Sequence, residues 1–151
     1  MTDDVELLKR VWRVRHFMPD IWRAWHVEYD RPVPVPLSTG TCGRTSLLLQ
    51  KILQADGYAA RWCIGSALQE CGFFDGEGWR SHAWVVCSDL ILDITADQFG
   101  APPVIVSPVG DSRYRESNVD PASEVWQVKR DLAASEAMVL WRRHSEAHSL
   151  P

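Results

Sequence analysis

Residues 40–65 read GTCGRTSLLLQKILQADGYAARWCIG, and the pattern inside this run changes twice. After Gly43, Leu47, Leu48, Leu49, Ile52 and Leu53 predict an apolar helix interrupted by charge only at Arg44 and Lys51. So little charge predicts a central, buried helix. Asp56-Gly57 ends it, the glycine suiting a left-handed cap. Ala59–Ala67 then predicts a strand.

Working outward, SHAWVVC (81–87) and LILDIT (90–95) are β-prone runs parted by Ser88-Asp89, which predicts an antiparallel hairpin. ECGFFDGEGW (70–79) reads as a glycine-laden loop with a turn at Asp75-Gly76, and Cys71–Gly78 as a candidate lid. Pro102, Pro103 and Pro108 bracket a short strand at Val104–Val106. Asp120 and Pro121 predict the cap and opening of a long helix, with Val125, Val128 and Leu132 inward and Trp141 further on. Upstream, residues 3–17 predict an amphipathic helix carrying Val5, Leu8 and Trp12 on its apolar side. Pro19 breaks it, and Asp20 caps a short second helix with Ile21, Trp22 and Trp25 on one side. Prolines at 32, 34 and 36 make an extended approach, expected with the glycine-rich loop at 71–78 to flank a cleft. The expected fold is α+β: a buried helix packed on a small antiparallel sheet, flanked by N- and C-terminal helices.

Composition narrows the function. The 151 residues predict one domain, 1–151, and 46% hydrophobic with 24% charged residues fits a globular chain. The net charge of −4 argues against nucleic-acid binding. No apolar run nears the roughly 18 residues a membrane span needs. MTDDVELLKR lacks the apolar core of a signal peptide, so a cytoplasmic location is expected, with delivery to another cell by a non-classical route left open. Cysteines fall at 42, 63, 71 and 87, and the closest pair is eight apart, which does not suit structural zinc. Reduced thiols, no metal and no cofactor are expected. Eight tryptophans read mostly as core or groove walls, and the Trp-rich helices of residues 1–30 as a possible surface for a partner protein. His16, His26, His144 and His148 read as solvated.

Cys42 stands where the apolar helix should begin. Unpaired N–H groups and the positive end of the helix dipole there favour a thiolate. If Ser88-Asp89 form a two-residue turn, Cys87 pairs with Leu90, Val86 with Ile91 and Trp84 with Asp93. His82 then faces Thr95, with Asp93 diagonal on the same face, roughly 7–8 Å away at the backbone. One residue more or fewer in the turn would put the two on opposite faces. Thiolate, imidazole and carboxylate together suit acyl transfer: the sulfur attacks, the ring moves the proton, and the carboxylate fixes the ring. Asp97 is an alternative orienter but lies past the expected strand end. Beside the N–H of Cys42, Gln98 or the Trp25 indole is a candidate second oxyanion donor. The alternative is a small inert Cys42 in a fold that serves as a protein-binding module.

GTCGRTSLLLQKILQADGYAARWCIG, SHAWVV and LDIT, in that order over about residues 40–95, resemble the transglutaminase-like branch of the papain-like cysteine enzymes. The pattern is also similar to the leader-peptide proteases of lasso-peptide biosynthesis, and the Asp-x-Thr-Ala-x-Gln-Phe ending to papain-like bacterial effector domains. The resemblance implies Cys42 as nucleophile, His82 as general base and acid and Asp93 as orienting acid. It implies a peptidase or protein deamidase type of chemistry on a protein or peptide substrate, through a thioester. Small size and the lack of calcium-type acidic loops separate the chain from the large transglutaminases.

Overall fold

A computed structural model describes residues 2–118, 120 and 123–149. In chain order it contains helix α1 (Thr2–Glu28), helix α2 (Cys42–Ala55), strands β1 (Ala60–Gly65), β2 (Gly72–Phe74), β3 (Trp79–Arg80), β4 (His82–Cys87), β5 (Leu90–Asp93), β6 (Ile105–Pro108) and β7 (Tyr114–Arg115), and helix α3 (Glu124–Ser149). One antiparallel sheet has the order β1-β4-β5-β6 and a smaller one the order β3-β2-β7. The class is α+β. No described helix is long and apolar enough to cross a membrane.

Helix α2 lies between β1 and β4 on one side and α3 on the other. Leu48, Leu49, Ile52 and Leu53 are at most 1% exposed and meet Val85, Leu92, Val11, Met18 and Ala137 in one core. Each such side chain contributes about 1.5–3 kcal/mol on burial. Polar groups on α2 are matched rather than stranded. Thr45 Oγ1 accepts the Trp22 indole N–H at 2.9 Å, and Ser46 Oγ accepts that of Trp62 at 2.7 Å. Gln50 accepts the backbone N–H of Trp62 at 2.6 Å and Gln54 donates to the Ala60 carbonyl at 3.0 Å, which seats β1 beside α2. Buried Arg44 pairs with Glu28 at 3.1 Å under the ring of Tyr29.

The outer helices depart from expectation. Pro19 lies inside α1, which runs unbroken from Thr2 to Glu28. A proline there costs one hydrogen bond, on the order of 3 kcal/mol. The stripe Leu7, Val11, Val14, Met18, Trp22, Trp25 spans the proline and is buried throughout, which offsets that cost. Val5, Leu8 and Trp12 instead face outward. Likewise Val125, Val128 and Leu132 of α3 are exposed, and Ala133, Ala134, Ala137 and Met138 point inward. Small residues allow α3 to lie close along α2. Asp120 does not cap α3, whose first turn is met by Ser123; Pro121 falls outside the described residues. His26 is buried, its Nε2–H donating to the Leu37 carbonyl at 2.7 Å.

The segment read as a loop at 70–79 contains a hairpin, with Phe73 opposite Arg80 and Phe74 opposite Trp79. Its turn is tied by Asp75, which accepts from Glu77 N, Gly78 N and Arg80 Nε at 2.7–2.9 Å. The strand expected at Val104–Val106 is β6, an edge strand that tolerates Pro108.

The two sheets touch at Gly65. A Cβ there would lie 2.1 Å from Gly72 N and 2.4 Å from the Arg115 carbonyl, both backbone atoms. Gly65→Ala should therefore cost about 3 kcal/mol in urea unfolding. Gly110→Ala, where a Cβ meets nothing within 4 Å, should stay within about 0.5 kcal/mol of the parent. Equal midpoints for the two variants would contradict the close approach.

Candidate active site

The β4–β5 turn has two residues, with Ser88 in the left-handed region at φ 56°. The register is Cys87↔Leu90, Val86↔Ile91, Val85↔Leu92, as the turn requires. Beyond Leu92 the strand also pairs outward, Asp93 lying opposite Ile105. His82 and Asp93 share a face, and His82 Nε2 is 2.7 Å from Asp93 Oδ2 with both side chains at most 1% exposed. The carboxylate is otherwise well supplied with donors. Tyr114 Oη–H donates to Oδ2 at 2.7 Å, and the Thr95 N–H donates to Oδ1 at 3.0 Å. Phe99, Phe73 and Trp84 surround the imidazole, with ring centroids 5.1–6.1 Å away.

Cys42 is the first residue of α2, and Thr41 gives that helix no side-chain cap. The first-turn N–H groups are thus not covered by a capping oxygen. Gly40, at φ +74°, turns the chain into the helix, and its N–H donates to Gln98 Oε1 at 3.1 Å. Further back, Ser38 Oγ–H donates to Asp97 at 2.5 Å, and Arg15 bonds the same carboxylate at 2.9 Å. The loop ahead of the cysteine is therefore anchored to both α1 and the turn after β5.

Cys42 and His82 line one cavity of about 300 Å³, whose walls also include Gly43, Gly65, Asp120 and Arg130. Cys42 is half-buried, and the other three cysteines are buried. With Nε2 taken by Asp93, the free ring atom is Nδ1, which is buried and makes no hydrogen bond of ordinary geometry. The thiol and the ring nonetheless act on each other. Burial alone would raise the Cys42 pKa, but the neighbouring His82 ring, helped by the N–H of Ala83, brings it below the ordinary thiol value. Burial alone would lower the His82 pKa, but Asp93 and Cys42 outweigh it and push it up to about 10. Asp93 is desolvated, yet His82, Thr95 and Tyr114 hold it below the usual carboxylate range. Burial and the adjacent Asp93 charge raise the Tyr114 pKa, so it stays a donor. Burial pushes the Cys63 thiol up to about 12.

The three expected groups thus come together, while other expectations fare differently. Gln98 does not line the cavity. Its amide oxygen holds Gly40, and its Nε2 is buried without a partner. Trp25 lies in the core beside Arg44, and Asp97 is a tether rather than an orienter. Neither the prolines at 32–36 nor residues 71–78 line the cavity. Tyr114 and the Ala83 N–H escaped the sequence reading; a tyrosine in a short RYR run gives no sign that its hydroxyl meets a carboxylate on another sheet. Among the described residues no three His, Cys, Asp or Glu side chains are grouped to hold a metal. A larger concavity of about 950 Å³ lies between α1 and α3 at the far end of α2, walled by Trp12, His16, Trp141 and His144, with no cysteine among its described lining residues. The chain matches no family model, no curated protein and no solved structure.

Alkylation by iodoacetamide should reach its midpoint at Cys42 below the ordinary thiol value of about 8.5, because the thiolate is favoured there. Cys63 should stay unmodified through about pH 9, its thiol being raised to about 12. Mass spectrometry of peptides labelled between about pH 6 and 10 measures this. A Cys42 midpoint at or above 8.5 would contradict the lowered pKa.

Proposed function

We propose that the chain is a cysteine-dependent amide hydrolase or acyltransferase of transglutaminase-like, papain-like type, acting on a protein or peptide. The observation that carries the reading is the fully buried His82–Asp93 pair, its Nδ1 left over by the carboxylate, with His82 and Cys42 lining the same cavity. A buried imidazole bound to a carboxylate at one nitrogen, with the other left for a half-buried cysteine, is an arrangement for moving protons at that sulfur.

The steps follow from the atoms. Cys42 Sγ, as thiolate, attacks the amide carbonyl carbon and a C–S bond forms. Charge gathers on the carbonyl oxygen, where the N–H groups of the first turn of α2 stabilise it. The His82 Nδ1 proton passes to the amide nitrogen, the C–N bond breaks and the amine leaves, giving a thioester. Water then attacks the thioester with its proton going to Nδ1, the C–S bond breaks and the acid is released. An amine in place of water gives acyl transfer. Asp93 keeps Nε2 occupied through the cycle, and Tyr114 and Thr95 hold the carboxylate in place. Peptidase and deamidase reactions share these steps and differ in which amine leaves.

p-Nitrophenyl acetate tests the half-reaction without a known substrate. The expected result is a burst of p-nitrophenolate equal to the protein present, with one acetyl group found on Cys42 by mass. Cys42→Ala should abolish the burst, and His82→Gln should slow acylation about 100- to 10,000-fold while circular dichroism stays unchanged. Acylation of the folded protein no faster than of the urea-unfolded chain would contradict the enzyme and favour a protein-binding module.

A further inference from the structure

Two of the residues lining the catalytic cavity, Asp120 and Arg130, have no part in the chemistry above. They face each other across its wall, with Arg130 Nη1 3.0 Å from Asp120 Oδ2 and side chains 22% and 14% exposed. Besides Cys42 and His82, they are the only charged or titratable groups among the described lining residues. Arg130 comes from α3 and lies against Gly43, the residue after the nucleophile. A Cβ at Gly43 would sit 2.8 Å from Arg130 Nε, so glycine leaves the guanidinium room beside the reacting sulfur. The guanidinium carbon is 5.9 Å from the Trp62 ring centroid.

The location is electrostatically unfavourable for a cation. The first turn of α2 presents the positive end of its dipole, and a guanidinium beside it needs an anion nearby. Asp120 supplies that anion. The pair is largely buried and also joins the β7–α3 connection to α3, and it does so in the wall of the cavity. Asp120 is carried by the connection between β7 and α3, outside both elements. In that connection the Ser117 N–H donates to Ile64 O at 2.9 Å and Ser117 Oγ accepts from Ser66 N at 2.8 Å. Asp120 Oδ2 also accepts from Gln127 Nε2 of α3, so this donor shares the carboxylate with Arg130.

We propose that Arg130 is the carboxylate-binding subsite of the cavity, and that Asp120 occupies it in the free protein in place of an acidic group of the substrate. The inference rests on the reading of Cys42 as nucleophile and adds the substrate class: amides of peptides with a carboxylate beside the attacked carbonyl. A guanidinium matches a carboxylate in shape as well as charge, which selects acidic over neutral peptides.

Three chloroacetyl probes test it: N-chloroacetyl-glycinamide, which is neutral, N-chloroacetyl-glycine, with a terminal carboxylate, and N-chloroacetyl-aspartic acid α-amide, whose side-chain carboxylate is free. In each, Cys42 Sγ attacks the CH2 carbon, a C–S bond forms and chloride leaves with the C–Cl electron pair. The neutral probe reports the thiolate alone; if it reacts no faster than with unfolded protein, the nucleophile reading fails. Given that reaction, the ratio of acidic to neutral probe rates tests the subsite. Asp120→Asn should raise that ratio about fivefold, and Arg130→Gln should lower it about fivefold, for at least one acidic probe. Whichever acidic probe responds shows whether a terminal or a side-chain carboxylate is taken. The double variant should behave like Arg130→Gln alone, because Asp120 acts through Arg130. Should Arg130→Gln fail to fold, the Asp120→Asn ratio decides. Ratios unchanged in Asp120→Asn, or unchanged in a folded Arg130→Gln, overturn the proposal while leaving the nucleophile intact.

Discussion

Within the site, everything depends on one hydrogen bond between His82 Nε2 and Asp93 Oδ2, 2.7 Å long and shut off from water. Burying either group alone would be costly, and removing one partner of such a pair typically costs about 3–5 kcal/mol because the other is left uncompensated. The cost is contained because the carboxylate also accepts from Tyr114 and Thr95, while aromatic rings keep water from the imidazole. With Nε2 committed, Nδ1 is the only part of the ring left to act. The bond thus fixes both which nitrogen meets the cavity and how strongly the ring holds a proton.

That bond in turn depends on a two-residue turn. Ser88-Asp89 sets the β4–β5 register, and a slip of one position would place His82 and Asp93 on opposite faces. The sulfur is brought to the same place by independent means. Helix α2 is seated on β1 and β4 by its leucines, and its start is held by Gly40 on Gln98 and by Ser38 on Asp97. Arg15 reaches Asp97 from α1, so the N-terminal helix is tied to the approach to Cys42. Site and core are therefore coupled: packing that places α2 also places Cys42.

How much of this was legible in the sequence varies with how local the deciding physics is. The hairpin register, the buried helix and the cysteine at its start follow from turn length, apolar density and a glycine, all within a few residues. The inward faces of α1 and α3 do not. Helix α1 carries two apolar stripes, one through Val5, Leu8 and Trp12 and one through Leu7, Val11, Val14 and Met18, and only contact with α2 selects the second. In α3 the larger side chains Val125, Val128 and Leu132 suggest the core face, yet alanines form it because α2 leaves only a narrow gap. Pro19 is tolerated for the same tertiary reason. In the site, the grouping of Cys42, His82 and Asp93 was legible from residue type and turn parity. Tyr114 and the Ala83 N–H join segments distant in sequence, and no local pattern announces them.

The direct test of the central interaction is the ionisation of the His82 ring itself, followed by nuclear magnetic resonance of its ring carbons and nitrogens across the pH range. The ring should remain an imidazolium through neutral pH and lose its proton only near about 10. A ring that titrates close to the free-histidine value of about 6.5 would mean that Asp93 and Cys42 do not hold its charge, and the account of the site would fail.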